Sequence, residues 1–350
     1  MKLFVIPSWY PSKICPESGL FFKDRAMLLK EAGIDVLVLA PILHSFRKIL
    51  KIRQMNTTNP NPELRTIINE QVNVFPKNEK LAFYRYQKRA INLFNQAIKK
   101  YGKPDMVFFN SSIWAGAALY KKLNDEKIPF IVSEHLKEFL MPQGFSNFNK
   151  KLIQKTYDSS YKVIATSTAL KKSIIKRFEI NENKTMLVPN PVNEDFFTLK
   201  PSSKNKRLSL TSVGLLRPEK NFDLIIRAFD KILKSGIDAT LNIVGDGPLE
   251  AQIKKQINLL GKPNRIKLWG YLKPNQVVKI LHKTDIFIVG SGIETFGVSL
   301  IEAQACGIPS VATKCGGPSD IILKDTGVLV QPNSEFYLHS GIMQVIKKID

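Results

Sequence analysis

Short apolar runs alternate with amphipathic stretches along almost the whole chain, and this alternation limits what the chain can fold into. A run of four or five apolar residues that ends in turn residues and leads into a helical repeat is a strand covered on both faces. Repeated, it builds a parallel sheet flanked by helices. Strands are expected at Leu3–Ile6, Val36–Ala40, Met106–Asn110, Phe130–Ser133 and Val163–Thr166, and a second series at Leu208–Gly214, Thr240–Gly245, Ile266–Leu268, Ile286–Val289 and Ser310–Ala312. Between the series, Val188–Arg207 holds Pro189, Pro191 and Pro201 with Ser202, Ser203, Lys204 and Asn205, a linker composition. A chain of 350 residues is too long for one open-sheet domain and suits two. We therefore expect an α/β protein of two doubly wound, Rossmann-like domains, 1–190 and 208–350, with a hinge over 191–207. Ligands of such sheets bind beyond the C-terminal ends of the strands. The strand-to-helix loops are the place to look for chemistry.

Composition removes several classes. No run of about 18 apolar residues is present to span a bilayer. The apolar start Leu3–Ile6 meets Pro7 at once and lacks a cleavage pattern, so a cytoplasmic location is expected. Cys15, Cys306 and Cys315 have neither disulfide nor zinc spacing and read as packing residues. No Asp-x-Asp and no phosphate-binding P-loop motif occurs, so neither a metal cofactor nor nucleotide hydrolysis is expected. The net charge of +22 is uneven, with 32 basic against 17 acidic side chains in the first 200 residues. An acidic partner for the first half is implied.

The most informative loop runs from Gly290 to Pro309. Strand Ile286–Val289 ends in a Gly-rich turn, and a helix is expected from about Phe296 to Gly307. Glu294 then precedes the helix and Glu302 lies within it. The amides of Thr295, Phe296, Gly297 and Val298 form an anion site favoured by the helix dipole. A carboxylate beside an anion site needs hydrogen-bond donors, and sugar hydroxyls supply them. Taken alone, two glutamates at this spacing fit a helix cap and an exposed helix residue better than a binding site, and it is the whole stretch that favours the site. A second loop, Val213–Asn221, carries Arg217 and Lys220 and opens a helix at Asp223–Leu233. Gly245 opens the turn Gly245-Asp-Gly-Pro248, which suits either close backbone approach to a ligand or a simple tight turn. Trp269-Gly-Tyr-Leu272 follows the next strand.

These stretches resemble the retaining glycosyltransferases of the GT-B class often called family 4. Their E-x7-E pattern matches Glu294 and Glu302, and the flanking Thr295-Phe296-Gly297 and Leu300-Ile-Glu-Ala-Gln-Ala-Cys-Gly-Ile-Pro309 match closely. The resemblance implies two domains facing a cleft, a nucleotide-sugar donor, retention of configuration and no metal. It assigns Glu294 to donor-sugar hydroxyls, Glu302 to the ribose, the 295–298 amides to phosphate and sugar, and Lys220 to the diphosphate. Where the family has arginine directly after the glycine this chain has Leu215, with Arg217 two residues on. Leu272 falls where relatives accommodate the base. In the first half, Pro7-Ser-Trp-Tyr-Pro-Ser12 and Ser18-Gly19 are similar to a subset in which the glycine lets backbone approach the diphosphate. His135 falls where the family faces the donor sugar, although a lone histidine at a strand end is commonly a satisfied core residue. Asn190 matches a structural element of the family's hinge. Glu294, Lys220 and His135 are the residues implied in catalysis.

The resemblance also implies a C-terminal extension crossing back to the N-terminal domain; the sequence stops at Asp350 after the helix expected over Ser334–Ile349, so freer domain motion is expected. Two rival readings are a GT-B-fold nucleotide-sugar epimerase and a basic nucleic-acid-binding protein, the latter suggested by charge alone and not by any recognised binding module. Arg47 to Lys103 holds thirteen basic residues against Glu63, Glu70 and Glu79. Within it Leu81–Tyr101 reads as a helix with Tyr84, Ile91, Phe94, Ile98 and Tyr101 inward and Arg85, Lys88, Arg89 and Lys99 outward. That outer face is either a solvated surface or a contact for an anionic leaflet beside a glycan or lipid-linked acceptor.

Overall fold

The structure is a computed structural model that describes residues 1–12, 15, 18–44, 63–75, 77–196, 198–199 and 207–349. It divides into two compact units, Met1–Pro191 and Val192–Asp350. Part of the span expected as a hinge, residues 200–206, lies outside the described residues, as does the Asn- and Pro-rich stretch from Gln54 to Pro62.

The first unit is a seven-stranded sheet, every pairing parallel. Its strands are β1 (Lys2–Pro7), β2 (Asp35–His44), β3 (Thr66–Val72), β4 (Met106–Asn110), β5 (Phe130–Glu134), β6 (Lys162–Ala165) and β7 (Thr185–Leu187). They lie in the order β3-β2-β1-β4-β5-β6-β7, so the order reverses between β1 and β4. Helices α1 (Leu20–Glu31), α2 (Glu79–Tyr101), α3 (Ala117–Asp125), α4 (Asn147–Ser159) and α5 (Thr168–Phe178) cover the sheet. Two apolar layers result, one holding Phe4, Phe94, Phe109 and Phe130 and the other Val5, Phe22, Val38 and Phe108. Alternate residues of β1 enter opposite layers, which is why that strand reads as unbroken apolar sequence.

The second unit is a six-stranded parallel sheet. It contains β8 (Leu208–Val213), β9 (Ala239–Val244), β10 (Ile266–Leu268), β11 (Ile286–Val289), β12 (Ser310–Thr313) and β13 (Gly327–Val330) in the order β10-β9-β8-β11-β12-β13. Its helices are α6 (Phe222–Lys234), α7 (Glu250–Leu259), α8 (Pro274–Leu281), α9 (Val298–Ala305), α10 (Pro318–Ile321) and α11 (Glu335–Ile349). Here the order reverses between β8 and β11. Phe196, from the span expected as a hinge, is buried against this unit, and its carbonyl accepts a hydrogen bond from Cys306 Sγ at 3.3 Å.

Three strands escape the sequence reading, and all are edge elements. β3 mixes Asn69, Glu70 and Gln71 into its apolar pattern, β7 is three residues with Met186 and Leu187 exposed, and β13 begins at a glycine. A strand with one free edge needs fewer apolar residues than a central one. The inward stripe of α2 also needs correction. Phe83, Tyr86, Ala90, Leu93, Phe94 and Ala97 are buried, whereas Tyr84 is 57% exposed, because the buried stripe runs one position ahead of the expected one. Asn78 caps this helix, its side-chain oxygen accepting from the Leu81 amide at 3.1 Å, and Gly102 ends it.

Candidate active site

In the second unit the loops after β8 and β11 leave the sheet on either side of the reversal point, where a doubly wound sheet opens a crevice. The β8 loop carries Lys220 and the β11 loop carries Glu294. Their side chains meet, Lys220 Nζ donating to Glu294 Oε2 in a short ion pair. Both groups are shielded, with Glu294 the more so. Burial disfavours the Lys220 ammonium, but contact with Glu294, with Cys315 and Glu219 close by, outweighs it and holds the pKa above the ordinary lysine value. Burial pushes the Cys315 thiol up to about 11. The crevice thus holds a fixed cation and a carboxylate in contact.

Glu294 is gripped by its own backbone. Its amide donates to the Cys315 carbonyl at 3.0 Å, and its carbonyl accepts from the Gly317 amide at 2.8 Å. A Cβ at Gly317 would lie 2.2 Å from the Phe296 carbonyl oxygen, so only glycine lets the β12 loop close on this segment. The helix starts at Val298 and not near Phe296. Gly297 has φ 108°, which no helical residue adopts, and Phe296 is buried ahead of it. Thr295, Phe296 and Gly297 therefore form the turn before α9, and the amides of Val298 and Ser299 are its first-turn donors without intrahelical acceptors. Glu302 lies within α9, partly buried.

The other expected donor-binding residues fall at the same end of this sheet with less to hold them. Arg217 is exposed at the start of the short turn Pro218–Lys220. Gly245 (φ 135°) packs on the β8 loop, where a Cβ would stand 2.0 Å from the Gly214 carbonyl oxygen. Its tight approach is therefore to protein backbone. Leu272 packs into the apolar layer beside Val289 and Leu300, and Trp269 Nε1 donates to Asn242 Oδ1 at 2.9 Å. Asn221, unremarked in the sequence, ties three segments together: its Nδ2 donates to the Gly290 carbonyl at 3.0 Å and to Asn333 Oδ1 at 3.1 Å.

In the first unit Gly19 caps α1 with φ 71°, and a Cβ there would meet the Trp9 carbonyl oxygen at 2.8 Å. His135 directly follows β5. Its ring packs edge-on to Phe22 with centroids 4.8 Å apart and tilted against Phe21, and Nε2 stands 3.0 Å from Ser133 Oγ. Burial and the charge of Arg25 hold its pKa well below the usual value, so it is a neutral ring at physiological pH. Arg25 was not foreseen. Its guanidinium donates to Ser133 Oγ at 2.9 Å and to Asn190 Oδ1 at 2.8 Å, and burial pushes its pKa down to about 10. Asn190 is thereby bound to α1 and β5. Next to His135, Glu134 is completely buried and accepts from the Ser112 amide at 2.9 Å, the Tyr157 hydroxyl at 2.8 Å and Ser111 Oγ at 3.3 Å.

The profile described as Glycosyltransferase Family 4 matches residues 22–196, half of the chain, and that described as Glycosyl transferases group 1 matches residues 194–349. The chain belongs to glycosyltransferase family 4. Among curated relatives, the GPI3 subunit of the phosphatidylinositol N-acetylglucosaminyltransferase of Saccharomyces cerevisiae is 29% identical over 202 residues, 55% of this chain and 45% of that one. The N-acetyl-alpha-D-glucosaminyl L-malate synthase of Bacillus anthracis is 27% identical over 249 residues, 66% of this chain and 62% of that one. The family 4 chain described here thus spans about half the length of the curated relatives it matches. Among solved structures, Anabaena HepE in complex with UDP aligns with a TM-score of 0.74 at 20% identity, covering 100% of this chain and 90% of that one. Sucrose-phosphate synthase from Thermosynechococcus elongatus aligns at 0.80 and 17% identity, covering 99% and 90%. The two parallel sheets are those of the GT-B glycosyltransferase fold.

Proposed function

We propose that the chain transfers a hexose-type sugar from a nucleotide-sugar donor to a glycan or lipid-linked acceptor, with retention of configuration and without a metal ion. The observation that carries this reading is the Lys220–Glu294 pair at the reversal point of the second sheet, beside the first-turn amides of α9. Departure of a nucleoside diphosphate builds negative charge, and a cation with preset backbone donors stabilises it without reorganisation. Lys220 and the amides at 296–298 take the diphosphate, while Glu294, released from part of its contact with Lys220, accepts hydrogen bonds from donor-sugar hydroxyls. Glu302 takes the ribose. In the transfer step the bond from the anomeric carbon to phosphate breaks and the bond to the acceptor oxygen forms on the same face. The departing phosphate takes the acceptor's proton. The protein's contribution is position and charge, and His135 offers a neutral hydrogen-bonding ring to the sugar.

The printed activities of the relatives, both concerned with N-acetylglucosamine, and the UDP bound to HepE make UDP-N-acetylglucosamine the first donor to try. Thermal-shift titration against UDP-, GDP- and ADP-sugars tests the donor class. One nucleotide sugar is expected to raise the melting temperature in a saturable way, and NMR of the product made from it should show the donor's anomeric configuration kept. Inversion would refute retention, and stabilisation by none of the panel would refute the donor reading.

The cell-membrane surface is the proposed setting, on its cytoplasmic side. Arg85, Lys88, Arg89 and Lys99 of α2 are exposed together with Leu81 and Tyr84, so cations and apolar side chains share an outward surface. Each cation near an anionic leaflet contributes about 1 kcal/mol. Among the described residues no helix is long and apolar enough to cross a membrane. Arg47, Lys48, Lys51 and Arg53, which belong to the same basic stretch of sequence, lie outside the described residues.

A further inference from the structure

The first unit buries a cation among neutral partners. Arg25, on α1, is 9% exposed, and its guanidinium donates from Nη1 to Ser133 Oγ at 2.9 Å and from Nη2 to Asn190 Oδ1 at 2.8 Å, with the Phe108 ring centroid 5.8 Å away. Among the described residues no carboxylate pairs with it, and burial alone pulls its pKa down. An unpaired buried charge is costly, and a glutamine amide has two N–H donors for the same two acceptors without that cost. The charge itself therefore calls for a use, and the group beyond Ser133 supplies one.

Ser133 is completely buried, and its Oγ stands between Arg25 Nη1 and His135 Nε2, the latter 3.0 Å away. A guanidinium only donates. Oγ therefore accepts from Arg25, and the hydroxyl's own proton goes to its other neighbour, Nε2. A neutral imidazole whose Nε2 accepts carries its proton on Nδ1. Phe21 and Phe22 hold the ring in place, with centroids 5.2 and 4.8 Å from its own. Protonating the ring would turn Nε2 into a donor, set two donors against Ser133 Oγ and strand the hydroxyl proton in a buried place. The guanidinium charge opposes that second proton as well, in the same direction as burial. The nearby carboxyls do not offset it. Glu134 turns the other way, to Tyr157 and to the strained turn in which Ser111 has φ 96° and Trp114 φ 63°, and the Asp24 carboxyl of α1 acts on Tyr10.

We infer that Arg25 is a positioning residue that works through Ser133 to keep His135 neutral, with its proton on Nδ1. The use of this in transfer rests on the transferase reading; the hold on the ring does not. As the diphosphate departs, the sugar gains positive charge, and an imidazolium touching it would oppose the step more than a guanidinium set one hydroxyl behind. The chain has four histidines, so imidazole NMR on the whole chain, assigned with His135→Gln, reads the ring directly. Nitrogen shifts of the wild type should show the Nδ1–H form. Arg25→Gln keeps donors and loses the charge, and it should raise the His135 titration midpoint by about one pH unit. Arg25→Lys should restore most of the wild-type midpoint. Ser133→Ala keeps the charge and removes the relay, so the Nδ1–H share should fall; it serves as the second variant if Arg25→Gln does not fold. In transfer assays from pH 8 down to pH 5, kcat of Arg25→Gln should fall along its NMR titration curve, earlier than in the wild type and with less change in KM, whereas a merely structural loss would lower the rate alike at every pH. An Nε2–H ring in the wild type, one midpoint shared by wild type and Arg25→Gln, or a kcat profile that does not follow the shifted titration would overturn the inference. A shifted midpoint in a chain that transfers sugar from no nucleotide sugar removes the transferase reading and leaves the hold on His135 standing.

Discussion

The two units share one sheet design and fill the same place in it with opposite chemistry. Where the strand order reverses in the second unit, the loops bring a cation and a carboxylate into contact beside helix amides. Where it reverses in the first, Trp9, Trp114 and Glu138, one of whose carboxylate oxygens has no hydrogen-bond partner, line a cavity with no Lys or Arg among its described lining residues. The first unit is nevertheless the more basic in sequence, and among the described residues Arg85, Lys88, Arg89 and Lys99 carry part of that charge on the exposed face of α2. A shared fold thus fixes where a site forms, and the loops decide what it binds.

The largest expected effect breaks the charged side of the comparison. Lys220→Ala removes the cation and leaves Glu294 shielded without its partner, and turnover should fall about 10²–10³-fold, the scale for losing a donor to developing negative charge. Glu294→Gln should cost similarly while leaving the melting temperature within a few degrees. Single-turnover transfer, measured beside circular dichroism, checks both. Near-normal turnover in a folded variant removes that residue from its assigned role.

A smaller effect concerns the outer face of the first unit. Reversing Arg85, Lys88 and Arg89 together to Glu removes three cations worth about 1 kcal/mol each near an anionic surface, so vesicle binding at low salt should weaken more than 100-fold. Sedimentation with vesicles of phosphatidylglycerol, against neutral vesicles and duplex DNA, reads this directly. Equal binding to neutral and anionic vesicles, or preference for DNA, would defeat the membrane assignment. Transfer to a soluble acceptor should be unchanged in the same variant.

Legibility in the sequence followed the same division. The central strands and the Glu294 and Lys220 loops could be read because each is a contiguous stretch whose spacing alone carries the pattern. The edge strands β3, β7 and β13 could not, since a half-covered edge tolerates Asn69, Glu70 and exposed Met186. Nor could the grip on Glu294, which comes from Cys315 and Gly317 across one helix and one strand. The neighbouring glycines Gly316 and Gly317 after β12 were the available signal. The first unit's cavity was hidden because its walls are gathered from Ser8 to Asn149, and only Ser8 and Trp9 among them fall in a stretch that the sequence marks out. Nothing in the sequence singles out Arg25 or Glu134, and only packing shows that both are buried.

Glu134 supplies the last and smallest test, because it props the wall of the first unit's crevice with a group that can acquire charge. Burial pushes its pKa up to about 7 from an ordinary 4.5, despite donors from Ser112, Tyr157 and Ser111 that favour the carboxylate. The folded chain therefore holds this proton over a pH range in which the unfolded chain has lost it. Between about pH 4.5 and 7 the folded state binds more protons, so this group's contribution to stability falls as pH rises through that window and levels off above it. Each pH unit within the window corresponds to about 1.4 kcal/mol at most, less where the loop relaxes. Glu134→Gln keeps an accepting oxygen for the Ser112 amide and cannot ionise. Urea unfolding at pH 5, 6 and 7.5 should show the wild type losing about 1–3 kcal/mol more than the variant across the series. His135 works in the opposite sense, since a histidine held neutral on folding costs stability as pH falls below 6.5, and it contributes equally to both proteins. A wild-type profile parallel to that of the variant would mean that Glu134 is ionised throughout, and that the strained turn at Trp114 is held by charge after all.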